Sequence, residues 1–140
     1  MQQIKSELKH EINKVLNLLS YPIKDIMLAP PKINDFGDLS TNIALVLSKD
    51  LKVPPIEIAH MIFGKLDRAK LNNIDTVTVS KPGFINFKIS NEYLQSQISI
   101  INKASDKYGR GLSGIGKNAN VEFVSANPTG PLTTGHGRNA

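Results

Sequence analysis

The residues whose types and spacing could do chemistry lie near the end of this sequence, in the segment 121–138, VEFVSANPTGPLTTGHGR. Glu122, Ser125 and Asn127 come at the end of a predicted strand, and ligands of open α/β sheets bind at such strand ends. The carboxylate of Glu122 can accept two hydrogen bonds from a cationic fork, and the neighbouring hydroxyl and amide add neutral dipoles. This set of side chains therefore suits a small cationic substrate.

A second group follows directly, where Gly135, His136 and Gly137 are placed to begin a helix. The first turn of a helix exposes unpaired backbone N–H groups, and an imidazole beside them can donate a hydrogen bond to a phosphate. The glycines let a ligand approach the backbone closely. Four residues alone are a weak signal, so an ordinary strand-to-helix turn that happens to contain a histidine is the alternative.

Several classes of chemistry are excluded by what the sequence lacks. It contains no cysteine, which removes disulfides, thiolate metal sites and cysteine nucleophiles and fits a reducing cytosol. Its three histidines, His10, His60 and His136, form no pair at metal-ligand spacing, so no metal site is expected. Neither a signal peptide nor a membrane-spanning stretch is present.

Length and charge place these residues in a second, incomplete unit. The chain has 140 residues, enough for one domain or for one domain and a piece of another. Of its net charge of +5, residues 101–140 carry +3, and seven of its ten glycines follow Tyr108. The positive charge suits an anionic partner, although many ordinary soluble domains carry as much.

The elements before Tyr108 predict a small α+β domain, with an antiparallel sheet packed by helices. Apolar side chains at three- and four-residue steps indicate helices, and alternation of polar and apolar side chains indicates strands. In the hairpin this alternation places Ile85 and Phe87 on one face and Phe84 and Asn86 on the other. The predicted elements are a helix over 3–19, a short strand over 23–29, a polar turn at 34–38, helices over 40–51 and from Pro54, a hairpin over 75–89, and a long helix capped by Ser90.

Three segments follow from this pattern. Residues 1–108 form the α+β domain, and residues 109–118 form a glycine-rich basic linker. Residues 119–140, with a strand over 120–124, a loop and a helix start, read as the beginning of a truncated Rossmann-like α/β domain.

Motifs in both units resemble one family. The segment 121–138 resembles the signature block of bacterial arginyl-tRNA synthetases, in which a V-E-F-x-S-x-N-P strand precedes the HxGH form of the class I signature. The upstream chain resembles the N-terminal additional domain of the same family. The motifs that carry this second resemblance are Phe36-Gly37-Asp38 followed by Asn42 and Ala44, Pro54 with Ile58-Ala59, and the run PGFINF over 82–87.

The resemblance implies a role for each residue of the signature block. Glu122, Ser125 and Asn127 would bind arginine, while Gly135 and His136 would contact ATP and act in catalysis. Thr133 stands where the family has its first signature histidine, and a hydroxyl substitutes for it weakly because it cannot be cationic. ATP would be a substrate, with Mg²⁺ in the full-length enzyme, and the 140-residue chain alone is expected to bind neither and to be inactive.

The resemblance also implies that the N-terminal domain contacts the D-loop and elbow of tRNA(Arg). Asn86, Phe87 and Asn91 are the candidates, because an amide can read a base edge and an aromatic ring can stack on an unpaired base. Phe87 has a competing place in the core beside Ile85. The expected protein is the N-terminal portion of a cytoplasmic, monomeric arginine–tRNA ligase that acts on arginine and ATP away from membranes. The alternative is a stand-alone tRNA-binding module built from residues 1–108.

Overall fold

The computed structural model describes residues 1–112, 114–122, 124, 127 and 129–138, with the side chain of residue 34 left out. The chain divides into two compact units, Met1–Ala104 and Ser105–Ala140. The elements of the first unit are α1 (Gln2–Leu18), β1 (Leu39–Thr41), α2 (Ile43–Leu51), α3 (Pro55–Lys65), β2 (Ile74–Ser80), β3 (Phe84–Ile89) and α4 (Asn91–Ala104).

The sheet of the first unit has three antiparallel strands in the order β1-β3-β2. β3 is the central strand, and Asn86 on it pairs with Ser40 on β1 and with Thr78 on β2. The predicted hairpin is thus confirmed, and so is the small antiparallel sheet with helices. Because neighbouring residues of a strand point to opposite faces, this register fixes which side chains share each face.

One face of the sheet closes the hydrophobic core. From β3 it contributes Ile85, Phe87 and Ile89, all at most 2% exposed. Helices α2 and α3 pack against the sheet and α1 packs against α3. The buried apolar side chains of the three helices are Ile4, Leu8, Ile12, Val15 and Leu16 from α1, Ile43, Ala44 and Leu47 from α2, and Ile58, Ala59 and Ile62 from α3.

Two glycines in the motifs that resemble the family, Gly37 and Gly83, lie where there is no room for a side chain. Gly37 has a φ of +99°, and a Cβ there would lie 2.8 Å from the carbonyl oxygen of Phe87. The next residue, Asp38, donates its backbone N–H to that oxygen and accepts the N–H of Ile89 on its carboxylate over 2.8 Å. Gly83 is equally constrained, because a Cβ there would lie 2.7 Å from the Cβ of Pro55 at the start of α3. Both glycines let backbone segments meet closely.

Two predicted elements differ in the structure. The strand expected over 23–29 is reduced to a single bridge between Ala29 and Ser40. Pro30 has no backbone N–H, so pairing does not extend beyond that bridge toward residue 30. The helix expected from residue 40 begins at Ile43, because Leu39–Thr41 pairs with β3 instead. A three-residue strand is too short to show an alternating pattern, and its pairing is decided by tertiary contacts.

In the second unit the expected strand over 120–124 is not formed by the residues described there, 120–122 and 124. A parallel strand exists only through hydrogen bonds to neighbours, and no strand is assigned to the described residues between 105 and 138. The predicted helix start is present as the short helix α5, Thr134–Gly137. No helix in the described part of the chain is long and apolar enough to cross a membrane.

Candidate functional site

A groove of about 390 Å³ lies on the sheet face that turns away from the core. Ser40, Ser80, Phe84 and Asn86 contribute the strand side of this sheet groove. The segment before β1 contributes an apolar wall, and Lys32 and Lys81 add positive charge. The remaining lining residues are Met27, Ala29, Pro30, Pro31, Ile33, Phe36 and Asn42.

Asn86 is held at this groove by hydrogen bonds to both neighbouring strands. Its Oδ1 accepts a hydrogen bond from the hydroxyl of Ser40 over 2.7 Å. Its Nδ2 donates to the hydroxyl oxygen of Ser80 over 2.9 Å. The residue is only 2% exposed, whereas the two serines are half-buried. A buried amide needs such partners, so these bonds stabilise a single orientation of the Asn86 side chain.

The sheet groove combines an aromatic side chain, an apolar wall and a cationic edge. Phe84 is half-buried, and Phe36 and Met27 are exposed among the lining residues. Lys32 and Lys81 are exposed, which leaves their ammonium groups available to an anion. Such a groove can accept the flat, partly apolar part of a ligand, while a negatively charged group of the same ligand lies at the lysines on its edge.

The structure separates the three residues predicted to contact tRNA. Asn86 lines the sheet groove, but Phe87 is fully buried at 0% exposure and packs in the core, which corrects its proposed stacking role. Asn91 is exposed at the first residue of α4 and does not line the groove. The strand aromatic residue that lines it is Phe84, which the alternation of β3 places on the same face as Asn86.

The second predicted site lies in the other unit, and its described residues are mostly exposed. Glu122, Asn127 and Gly135 are exposed and His136 is half-buried, while Ser125 lies outside the described residues. Within the part of the chain that the structure describes, no group of three His, Asp or Glu side chains could hold a metal ion.

Thr133 and His136 are connected within this segment. Thr133 is the N-cap residue of α5, and its backbone N–H donates to Nδ1 of His136 over 3.0 Å. A backbone N–H can only donate, so Nδ1 is the accepting nitrogen of the imidazole. The proton of the neutral ring therefore lies on Nε2, where it can be donated to a ligand.

Comparison with known proteins gives a consistent set of matches. A family model described as the arginyl-tRNA synthetase N-terminal domain matches residues 2–89. An arginine–tRNA ligase of Nitratidesulfovibrio vulgaris is 47% identical over 87% of this chain and 22% of its own length. A ligase of the same name from Geobacillus kaustophilus is 42% identical over 99% of this chain and 25% of its own.

A third relative, the arginine–tRNA ligase of Metamycoplasma arthritidis, is 48% identical over 92% of this chain and 23% of its own length. The chain thus spans about a quarter of the length of the curated relatives it matches. Among solved structures, the arginyl-tRNA synthetase of Plasmodium falciparum has a similar fold, with a TM-score of 0.55 and 17% identity. That match covers 66% of this chain and 17% of the other.

Proposed function

This chain belongs to the arginyl-tRNA synthetase N-terminal domain family, and from that premise we propose that it is the N-terminal portion of an arginine–tRNA ligase. We further propose that its sheet groove contacts the D-loop and elbow of tRNA(Arg). The observation that carries the second proposal is the arrangement of Phe84, the Asn86 amide network and two lysines around one groove.

The chemistry of the sheet groove supports an unpaired nucleobase as its ligand. Bases in RNA loops are recognised by stacking on aromatic side chains and by hydrogen bonds to their edges, and Phe84 and the network around Asn86 offer both. Lys32 and Lys81 would pair with the flanking phosphates, which position the RNA without reading its sequence. Asn91, which lies outside the groove, remains a candidate contact with the backbone.

The signature segment supports the activity proposed for the longer ligase. Arginine would be activated when its carboxylate attacks the α-phosphate of ATP and displaces pyrophosphate. The arginyl group of the resulting adenylate would then pass to the terminal ribose of tRNA(Arg), with AMP as the leaving group. Glu122 would bind the guanidinium group with Ser125 and Asn127. The Nε2–H of His136 would donate a hydrogen bond to a phosphate oxygen of ATP. At Gly135 the absence of a side chain would let ATP approach the backbone closely. ATP supplies the phosphate electrophile when bound, with Mg²⁺ in the full-length enzyme.

The replacement of the first signature histidine leaves a specific role to Thr133. Its backbone N–H would orient His136 over 3.0 Å, and its hydroxyl oxygen lies 3.4 Å from the same Nδ1. One imidazole rather than two would then stabilise the charge on the transferring phosphate. The stand-alone module is not favoured, because similarity to arginine–tRNA ligases covers 99% of the chain and so extends past residue 108.

Titration of the 140-residue chain with tRNA(Arg) transcripts tests the elbow contact. One transcript keeps the native D-loop, and a matched transcript has that loop replaced by a stable tetraloop. We expect tighter binding of the native transcript at both low and moderate salt, since base contacts survive the screening that weakens phosphate contacts. Equal affinity for the two transcripts would contradict the proposal.

A further inference from the structure

We propose that the hydroxyl groups of Ser40 and Ser80 make the hydrogen bonds to a base in the sheet groove, and that Asn86 is a positioning residue which decides which of them donates. This inference rests on the proposed elbow contact and specifies the groups that perform it. It changes the role expected for Asn86 from direct reading of the base to orientation of its neighbours.

Burial is the first reason. Asn86 is 2% exposed, so almost none of its amide is accessible to a ligand. Its oxygen and its nitrogen already have partners, at 2.7 Å and 2.9 Å. Ser40 and Ser80 are half-buried and line the same groove, so their side chains are more accessible to a ligand than the amide of Asn86 is.

The direction of the two hydrogen bonds is the second reason. A serine hydroxyl has one hydrogen and two lone pairs. Ser40 uses its hydrogen on the Oδ1 of Asn86, so only its lone pairs remain for a ligand. Ser80 accepts from the Nδ2 of Asn86, so its own hydrogen remains free to be donated. The amide of Asn86 therefore makes one serine an acceptor and the other a donor.

The sheet holds this arrangement in place. Ser40 lies directly opposite Asn86 in the β1–β3 register, and Ser80 lies opposite Phe84 in the β2–β3 register. Side chains opposite or diagonal to each other on one sheet face are within contact distance. The donor and the acceptor consequently sit on two strands fixed by backbone pairing, with the ring of Phe84 beside Ser80. The Watson–Crick edge of every unpaired nucleobase offers both a donor and an acceptor to such a pair.

The test compares serine variants of the 140-residue chain in titrations with the two tRNA(Arg) transcripts, native and D-loop-replaced. Ser40→Ala and Ser80→Ala each remove one hydroxyl, and Ser80→Thr keeps it. Ser48→Ala is the matched control, because the Ser48 hydroxyl also donates internally, to the carbonyl oxygen of Leu45 over 2.8 Å, and does not line the groove. Thermal unfolding of each variant confirms that it is folded before its binding is compared.

We expect each groove alanine variant to lower the ratio of native to D-loop-replaced affinity by about three- to tenfold, the size of one hydrogen bond. Ser80→Thr and Ser48→Ala should retain the ratio of the unsubstituted chain, and a structural loss alone would lower both affinities together without changing the ratio. Retention of the ratio in Ser40→Ala and Ser80→Ala, with loss in Asn86→Ala, would overturn the inference and leave the elbow contact intact. Equal affinity of the unsubstituted chain for both transcripts would instead remove the elbow contact itself, and the inference with it.

Discussion

The hydroxyl of Ser40 donates to the Oδ1 of Asn86 over 2.7 Å, joining two residues 46 positions apart in the chain. This contact exists only because β1 pairs with β3, and that pairing follows directly on the tight approach of Gly37 to the carbonyl group of Phe87. The hydrogen bond between Ser40 and Asn86 in the sheet groove and the pairing of the edge strand β1 therefore depend on the same short segment, which runs from Gly37 to the end of β1.

Gly37→Ala should destabilise the first unit. A side chain is strained at a φ of +99°, and the added Cβ would lie 2.8 Å from the Phe87 oxygen. We expect a loss of about 1–3 kcal/mol in the free energy of unfolding, measured by urea denaturation. Gly64→Ala is the matched control, because Gly64 lies in α3 with no atom within 4 Å of the added Cβ, and it should stabilise the helix by up to about 1 kcal/mol. Equal effects of the two substitutions would contradict this explanation of Gly37.

Phe84→Ala should weaken the binding of native tRNA(Arg) by the 140-residue chain, because it removes the aromatic surface on which a base would stack. Stacking on an aromatic side chain contributes about 1–3 kcal/mol per base, measurable by fluorescence anisotropy. Phe84→Tyr keeps the ring and should bind like the unsubstituted chain. The D-loop-replaced transcript should bind Phe84→Ala and the unsubstituted chain equally well, and a parallel loss there would argue against stacking in the groove.

Lys32→Gln and Lys81→Gln should change how the affinity for tRNA(Arg) depends on salt more than they change the preference for the native D-loop sequence. Each phosphate contact contributes about 0.7–0.9 to the slope of log affinity against log salt concentration, so each substitution should reduce the slope by nearly one. Lys49→Gln makes the same charge change in the last turn of α2, outside the sheet groove, and should leave the slope unchanged. Identical slopes in all three variants would show that the groove lysines do not contact phosphate.

The 140-residue chain should not catalyse arginine-dependent exchange of pyrophosphate into ATP. Glu122 and Asn127 are exposed, and no strand forms among the described residues around them, so the groups that would hold arginine are not fixed relative to His136. Catalysis of adenylate formation requires substrates held in a defined geometry. Robust exchange above the level of a His136→Ala variant would contradict this prediction.

Patterns of local spacing predicted much of the first unit correctly. The helical periods of α1 and α3, the Ser90 cap and the alternation in the hairpin depend on near neighbours in sequence, and each is present; the Ser90 hydroxyl accepts the N–H of Tyr93 over 3.2 Å. The long helix after Ser90 differs in its packing, because Tyr93 is its only buried residue. Its apolar side chains Leu94, Ile98 and Ile101, which are spaced three or four residues apart, are at least 40% exposed.

The features that sequence reasoning missed depend on tertiary pairing. β1 has three residues and no pattern of its own, so only its partner strand β3 reveals it. The partners of Asn86 were missed for the same reason, because Ser40 is brought to it by that pairing. The alternation in β3 places Phe84 and Phe87 on opposite faces, and only the choice of which sheet face the helices cover distinguishes the buried ring from the one in the sheet groove.

The most direct test of the elbow contact is chemical probing of the 2′-hydroxyl groups of tRNA(Arg) with and without the 140-residue chain. We predict that reactivity falls at D-loop nucleotides and that Phe84→Ala restores it, while the anticodon loop stays equally reactive in all samples. Unchanged D-loop reactivity at saturating protein, or protection confined to another part of the tRNA, would contradict the proposed function of the sheet groove.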